Sequence, residues 1–218
     1  AAHLEASADD IVFEQGLFRV AGTDRQVPMK QVARLAYTLP QAQIDGEFGL
    51  TAKMLVAATK PTFPNGCHIC EVEIDRETGE CAVVRYSVVD DVGRIINPMV
   101  VEGQIHGGVV QGLGQVLREA IVYDDDGPLL SGSFMDYALP RALACPDFAC
   151  HNNEVPTPTN PLGVKGAGEA GTVGALAAIV NAAMDALAPL GIDHVDMPLT
   201  AERLWRAMRA AESRAGAS

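Results

Sequence analysis

Asn160 to Gly174 reads N-P-L-G-V-K-G-A-G-E-A-G-T-V-G and runs directly into a long apolar stretch. Glycines 163, 166, 168, 171 and 174 surround a single carboxylate, Glu169. Glycine lets other atoms approach the main chain closely, at a conformational cost that an ordinary loop has no reason to carry. The stretch therefore has the pattern of a pocket built around something bulky. Beyond it, Val173, Leu176, Ala177, Ile179, Val180, Ala183, Met184 and Leu187 recur at helical spacing until Pro189 and Gly191 stop the run. Glu169 is expected at or near the N-terminus of that helix.

Two readings of Glu169 compete. An acid in the first turn can simply offset the helix dipole, worth about 0.3–1 kcal/mol. Alternatively it is a general base beside a substrate. Gly166, Gly168 and Gly171 also spell G-x-G-x-x-G, but a dinucleotide fingerprint must follow a buried strand. Here residues 151–162 carry three prolines and cannot be a central strand.

Working back along the chain, Asn97-Pro98 is a helix start, with Asn97 as N-cap and Pro98 at the first helical position. The helix that follows contains Gly103, Gly107, Gly108, Gly112 and Gly114, each costing about 0.5–1 kcal/mol relative to alanine. That expense implies close approach by another body. Gln104, Gln111 and Gln115 ride on the same helix; an amide there either faces solvent or reads a polar cofactor. His106 is read as structural.

Residues 69–74 and 82–89 alternate as half-buried strands, joined by a turn through Gly79. A smaller hairpin is expected over 11–20 with Gly16 in its turn, and an amphipathic helix from Pro28 to before Pro40. Residues 1–10 resemble the tail of a helix. Further strands are expected over 54–59, 120–123, 128–139, 147–155 and 193–197, with residues 133–137 partly buried. A last helix runs from Ala201 to about Ala211, capped by Thr200. Together these predict an α+β chain with a less regular segment over 1–66 and a core over 67–218.

Composition narrows the function. With 218 residues, 48% hydrophobic and 20% charged, the chain can bury a substantial core. Its net charge of −12 and scattered basic residues argue against nucleic acid. Arg203, Arg206 and Arg209 read as a solvated face, and Asp124 to Gly127 as a turn. No uninterrupted apolar window of about 18 residues suggests a membrane span, and no signal peptide is evident, so the expected location is cytoplasmic. Cys67 and Cys70 form a C-x-x-C, but alternation along a strand sends residues three apart to opposite faces, which does not suit a zinc site.

The stretches V-V-D-D-V-G-R-I-I-N-P (88–98), V-E-G-Q-I-H-G-G-V-V-Q-G-L-G-Q (101–115), S-F-M-D-Y-A-L-P (133–140), T-P-T-N-P-L-G-V-K-G-A-G-E-A-G-T-V-G-A (157–175) and D-M-P-L-T-A-E-R-L-W (196–205) carry a resemblance. In this order they resemble the C-terminal part of the large, molybdenum-cofactor-binding subunit of the xanthine dehydrogenase and aldehyde oxidase family. The resemblance implies the fold of a molybdenum hydroxylase cofactor-binding domain, C-terminal portion. It implies that Glu169 is the active-site base and that Gln104 touches the cofactor. Gly168, Ala170 and Gly171 would contact it through the main chain at the helix start.

The implied reaction is oxidative hydroxylation of an aldehyde or N-heteroaromatic carbon, in which the glutamate deprotonates a Mo-bound hydroxide and hydride passes to a sulfido ligand. The implied cofactor is a molybdenum-pterin, as molybdopterin or its cytosine dinucleotide form. Iron–sulfur clusters and FAD are expected on partner subunits. Family large subunits are several times this length, so the expected partners are the N-terminal half of the large subunit, an iron–sulfur subunit, an FAD subunit and a small-molecule substrate. The G-E-A-G-T-V-G motif looks more like heterocycle- and aldehyde-oxidising members, and carbon-monoxide-dehydrogenase-like proteins, than like genuine carbon monoxide dehydrogenases. The rival reading is a non-catalytic scaffold or interaction module that retains the fold without the metal.

Overall fold

A computed structural model describes residues 1–38, 49–51, 53–56 and 60–216. The chain forms two compact units, Ala1–Ala57 and Ala58–Ser218.

In the first unit, β1 (Ile11–Glu14), β2 (Leu17–Val20) and β3 (Gln26–Pro28) form an antiparallel meander. Gln15 and Gly16, at φ 48° and 78°, make the two-residue turn that the first hairpin requires. Phe13 and Phe18 pair across it with ring centroids 4.4 Å apart. Helix α1 (Met29–Thr38) follows Pro28 as expected. Residues 1–10 differ from expectation, forming two short 3-10 turns. No strand forms over residues 53–56, and residues 57–59 of the expected strand lie outside the described residues.

The second unit is a sheet with helices on one face. Strands β4 (Asn65–Ile74) and β5 (Cys81–Asp91) form the expected hairpin, both longer than their alternation suggested. Asp75 Oδ1 accepts from the N–H groups of Glu77 and Thr78, and Gly79 at φ 76° completes the turn. From β5 the chain crosses through α2 (Pro98–Leu117) to β6 (Phe148–Asn152), which lies parallel to β5 at the sheet edge. Helices α3 (Ala170–Leu187) and α4 (Ala201–Ala215) complete the unit.

Local caps decide where these helices start. Asn97 Oδ1 accepts from Val100 N–H at 3.2 Å, and Thr200 Oγ1 from Arg203 N–H at 3.4 Å. The core joins one face of the sheet, with Val83, Tyr86 and Val88, to Ile105, Val109, Leu113 and Val116 of α2. Ala175, Ile179, Ala183 and Leu187 add the buried stripe of α3, and Leu204 and Met208 that of α4. Val173, read as part of the apolar stripe, is instead exposed.

By length and composition alone, Ala170–Leu190 is apolar enough to cross a membrane, contrary to the sequence expectation. Its stripe spaced every four residues is that of a core helix, packed against α2 and β4.

Three expected strands do not form. Residues 120–139 hold turns and one isolated bridge, Tyr123 with Leu129, and 193–197 are irregular. Phe134 and Met135, expected partly buried, are 89% and 93% exposed. Apolar alternation makes a strand only where another edge is available to pair with, and these segments find none.

Candidate active site

Glu169 is the N-cap of α3, as its position before the apolar run suggested. Its side chain makes no capping hydrogen bond, and its backbone is in the right-handed helical region rather than the extended one that caps adopt. The carboxylate is exposed and has no hydrogen bond or ion pair among the described residues. It is therefore available for other chemistry.

What holds Glu169 in place is backbone on backbone. A Cβ on Gly108 would lie 2.8 Å from Thr172 N and 3.0 Å from Gly171 Cα. One on Gly171 would lie 2.5 Å from Ile105 O, and one on Gly112 would lie 2.6 Å from Ala175 Cβ. Thr172 Oγ1 also donates to Gly108 O at 3.0 Å. Here is the close approach that the glycines of α2 foretold, and the body that presses is α3. The helix's other glycines divide differently: Gly114 makes room for Glu119 and Pro140, while Gly103 and Gly107 face open space.

The loop leading to Glu169 is tied to the end of β5. Gly93 and Val164 form a bridge, Arg94 N–H donates to Gly163 O and Lys165 N–H to Val92 O, each at 2.9 Å. Asn160 pairs its own amide with both backbone groups of Val164. Asp91 gathers four segments: Oδ1 accepts from Gly93 and Val155 N–H, and Oδ2 from Lys165 Nζ and Asn65 Nδ2. Burial would raise the Asp91 carboxyl, but Lys165 and the two N–H groups outweigh it and hold it down at about 2.

Beneath Glu169 lies a pocket of about 220 Å³ lined by Asn65, Gly66, His68, Asp90, Glu169 and Gly174 among others. Asp90 is 2% exposed, and its Oδ2 has no hydrogen-bond partner among the described residues. Its Oδ1 lies 3.3 Å from His68 Nε2, and His68 Nδ1 lies 2.7 Å from Tyr86 Oη. Asp90 lies within the 88–98 stretch and His68 inside the C-x-x-C, and the sequence alone assigns neither a role. The available signal was two successive acids at the end of an apolar strand, where a buried charge needs a reason.

Gln104 is exposed and does not line this pocket. It stands next to Ile105, whose carbonyl faces Gly171, so it lies at the same end of the helix crossing as Glu169. Gln111 and Gln115 are exposed too. The N–H groups of Gly168, Glu169, Ala170 and Gly171 have no acceptor among the described residues, and Gly166 and Gly168 have open space where a Cβ would be. Unused donors, a bare backbone and an uncommitted carboxylate fit a large group rich in oxygen ligands. His106 stacks on Phe148 at 4.9 Å, a structural contact.

Among the described residues, no cluster of three or more His, Cys, Asp or Glu side chains could hold a metal. Cys67 is exposed while Cys70 packs on the core, as residues three apart on a strand should. Arg206 and Arg209 pair with Glu202 and Glu212, and Arg203 donates to the carbonyls of Asp196, Met197 and Pro198.

Comparison with known proteins identifies the family. A molybdopterin cofactor-binding domain family matches residues 1–146, a span that ends before Glu169. The carbon monoxide dehydrogenase large chain of Hydrogenophaga pseudoflava is 38% identical over 96% of this chain and 26% of its own. The nicotine 6-hydroxylase large subunit of Paenarthrobacter nicotinovorans is 41% identical over 94% of this chain, again 26% of its own. Quinoline 2-oxidoreductase from Pseudomonas putida 86 superposes with a TM-score of 0.86 at 39% identity, over 95% of this chain and 27% of that one. The chain thus spans about a quarter of the length of these relatives. By family match, sequence and fold, it belongs to the molybdopterin cofactor-binding domains of the molybdenum hydroxylase large subunits, the xanthine dehydrogenase and carbon monoxide dehydrogenase family.

Proposed function

We propose that this chain supplies the general base of a molybdenum hydroxylase, with Glu169 taking a proton during oxidative hydroxylation of an aldehyde or N-heteroaromatic carbon. The observation that carries this is the uncommitted Glu169 carboxylate on a glycine-bare helix start. Beyond the helix-dipole term open to any acid at this position, an acid that served the fold would cap its helix or pair with a cation, and Glu169 does neither among the described residues. The nicotine and quinoline enzymes among its relatives support an N-heteroaromatic substrate. Carbon monoxide dehydrogenases match comparably well.

The molybdenum–pterin group, when bound, supplies the two-electron redox step. Gln104 offers an amide to that group, and the N–H groups of Gly168, Ala170 and Gly171 offer donors to its oxygen atoms. Partners in this reading are the remainder of the large subunit, an iron–sulfur subunit and an FAD subunit.

In the assembled enzyme, Glu169→Gln is expected to lower turnover by at least about 100-fold with molybdenum content unchanged. Near-normal turnover would remove the general-base role. Gln104→Ala is expected to retain less cofactor, measured as molybdenum per subunit.

A further inference from the structure

On the β4–β5 ladder His68 stands opposite Val88, with Tyr86 and Asp90 as its diagonal neighbours on the same face of the sheet. Both neighbours engage the ring: Tyr86 Oη lies 2.7 Å from Nδ1, and Asp90 Oδ1 lies 3.3 Å from Nε2. The Tyr86 ring also stands nearly perpendicular to the imidazole, with centroids 5.7 Å apart. A Cβ on Gly66 would run into the Asp90 carboxylate, so the glycine leaves that carboxylate room beside the ring. With its side chain only 6% exposed and both nitrogens held, the imidazole is not free to swing aside.

This fixed ring carries the start of α3. A Cβ on Gly174 would lie 2.5 Å from His68 Cγ and 2.6 Å from Cδ2 and Nδ1, so the helix backbone rests directly on the imidazole. Gly171, three residues earlier and therefore on a neighbouring part of the helix surface, rests on the main chain of α2. The beginning of α3 is thus seated twice, on α2 through Gly171 and on the sheet through Gly174. Glu169 makes no hydrogen bond or ion pair through its side chain among the described residues. Its place is therefore whatever the seated backbone gives it, and the link is short: Val173, next to Gly174, donates its N–H to Glu169 O at 3.1 Å.

We infer that His68 is a positioning residue for Glu169, its ring being the spacer that sets the height of the start of α3 above the sheet. This rests on the reading of Glu169 as the base. An apolar side chain would suffice for packing alone. The imidazole instead keeps a buried aspartate beside it, whose Oδ2 has no partner among the described residues, and a buried polar atom of that kind is costly. What the polar contacts add is a fixed ring orientation. Misplacing a catalytic group by about 1 Å can cost on the order of 100-fold in rate, which gives a fixed support here its use.

The test uses the assembled, molybdenum-loaded enzyme. His68→Ala should lower kcat about tenfold with KM and molybdenum content unchanged. Amide hydrogen exchange over residues 170–177 should speed up about tenfold, while exchange in α4 stays as in wild type. Gly174→Ala approaches the contact from the other side, leaves the bonds of the ring in place, and carries the test if His68→Ala fails to assemble. It should lower kcat by a similar factor even though alanine favours a helix. In the double variant the new methyl group takes space that the ring has left, and kcat should return to within about threefold of wild type.

Exchange that speeds up equally in α3 and α4 overturns the inference, leaving His68 an ordinary core residue. So does wild-type kcat in Gly174→Ala, or losses that multiply to about 100-fold in the double variant. In a Glu169→Gln background, His68→Ala should slow turnover no further, because residues acting through one another do not add; a second tenfold loss would show that His68 does not act through Glu169. If Glu169→Gln itself turns over at a near-normal rate, the base assignment fails separately, and the exchange pattern still decides whether His68 seats α3.

Discussion

Lys165 Nζ lies 2.5 Å from Asp91 Oδ2, with the two side chains only 11% and 6% exposed. The pair joins the loop before Glu169 to the end of β5, 74 residues away in sequence. Replacing one partner would leave the other charge buried and unmatched. Asp91→Asn is therefore expected to destabilise the protein by about 3–5 kcal/mol, and Asp91→Asn with Lys165→Met by clearly less. Urea unfolding of the two variants checks this, and equal losses would mean the pair is not a unit.

Acid should act through the same carboxyl. Its value of about 2 lies below the unfolded value, so the stability it confers is full above about pH 4 and is lost as pH falls through about 2. The difference in unfolding free energy between wild type and Asp91→Asn should shrink over that window. A constant difference would show that Lys165 does not hold the carboxyl down.

Glycines of α2 should respond in opposite ways to alanine. Gly103 faces open space, so Gly103→Ala should stabilise by about 0.5–1 kcal/mol through helix propensity. Gly112→Ala would set a methyl group 2.6 Å from Ala175 Cβ and should destabilise by about 1–3 kcal/mol. Thermal unfolding separates the two.

Cysteine reactivity reports on the hairpin. Burial, then Cys81 and Glu71, push the Cys70 thiol up to about 12, and burial pushes Cys81 to about 11. At about pH 8 both are held as unreactive thiols, while Cys67 is exposed to reagent. Alkylation of the native protein should mark Cys67 and spare Cys70 and Cys81 until denaturant is added. Equal labelling of Cys67 and Cys70 would contradict the packing of β4.

Features fixed by neighbours in sequence were legible from it. Asn97-Pro98 and Thr200 start helices because the cap bonds close within three residues, and Gly16 and Gly79 turn hairpins because their positive φ is a local demand. The glycines around Glu169 announced its bare surroundings. Strands expected over 120–139 and 193–197 failed because a strand depends on an edge supplied from elsewhere. Asp90 and His68 escaped notice for the same reason. They are 22 residues apart, and only the pairing of Gly66 with Asp90 and His68 with Val88 turns both toward the pocket under α3. Nor does periodicity reveal which body a glycine admits: Gly108 and Gly112 received a helix, while Gly103 and Gly107 received nothing in this chain.

The seat of α3 on α2 is made of main chain, with Gly108 against Gly171 and the Ile105 carbonyl against the same residue. A joint of that kind has no adjustable parts. Exchanging larger core side chains deeper in the unit, at Leu113 or Ile179, would alter overall stability while leaving the first turn of α3 registered as before. The position of Glu169 is thereby insulated from drift in the hydrophobic interior.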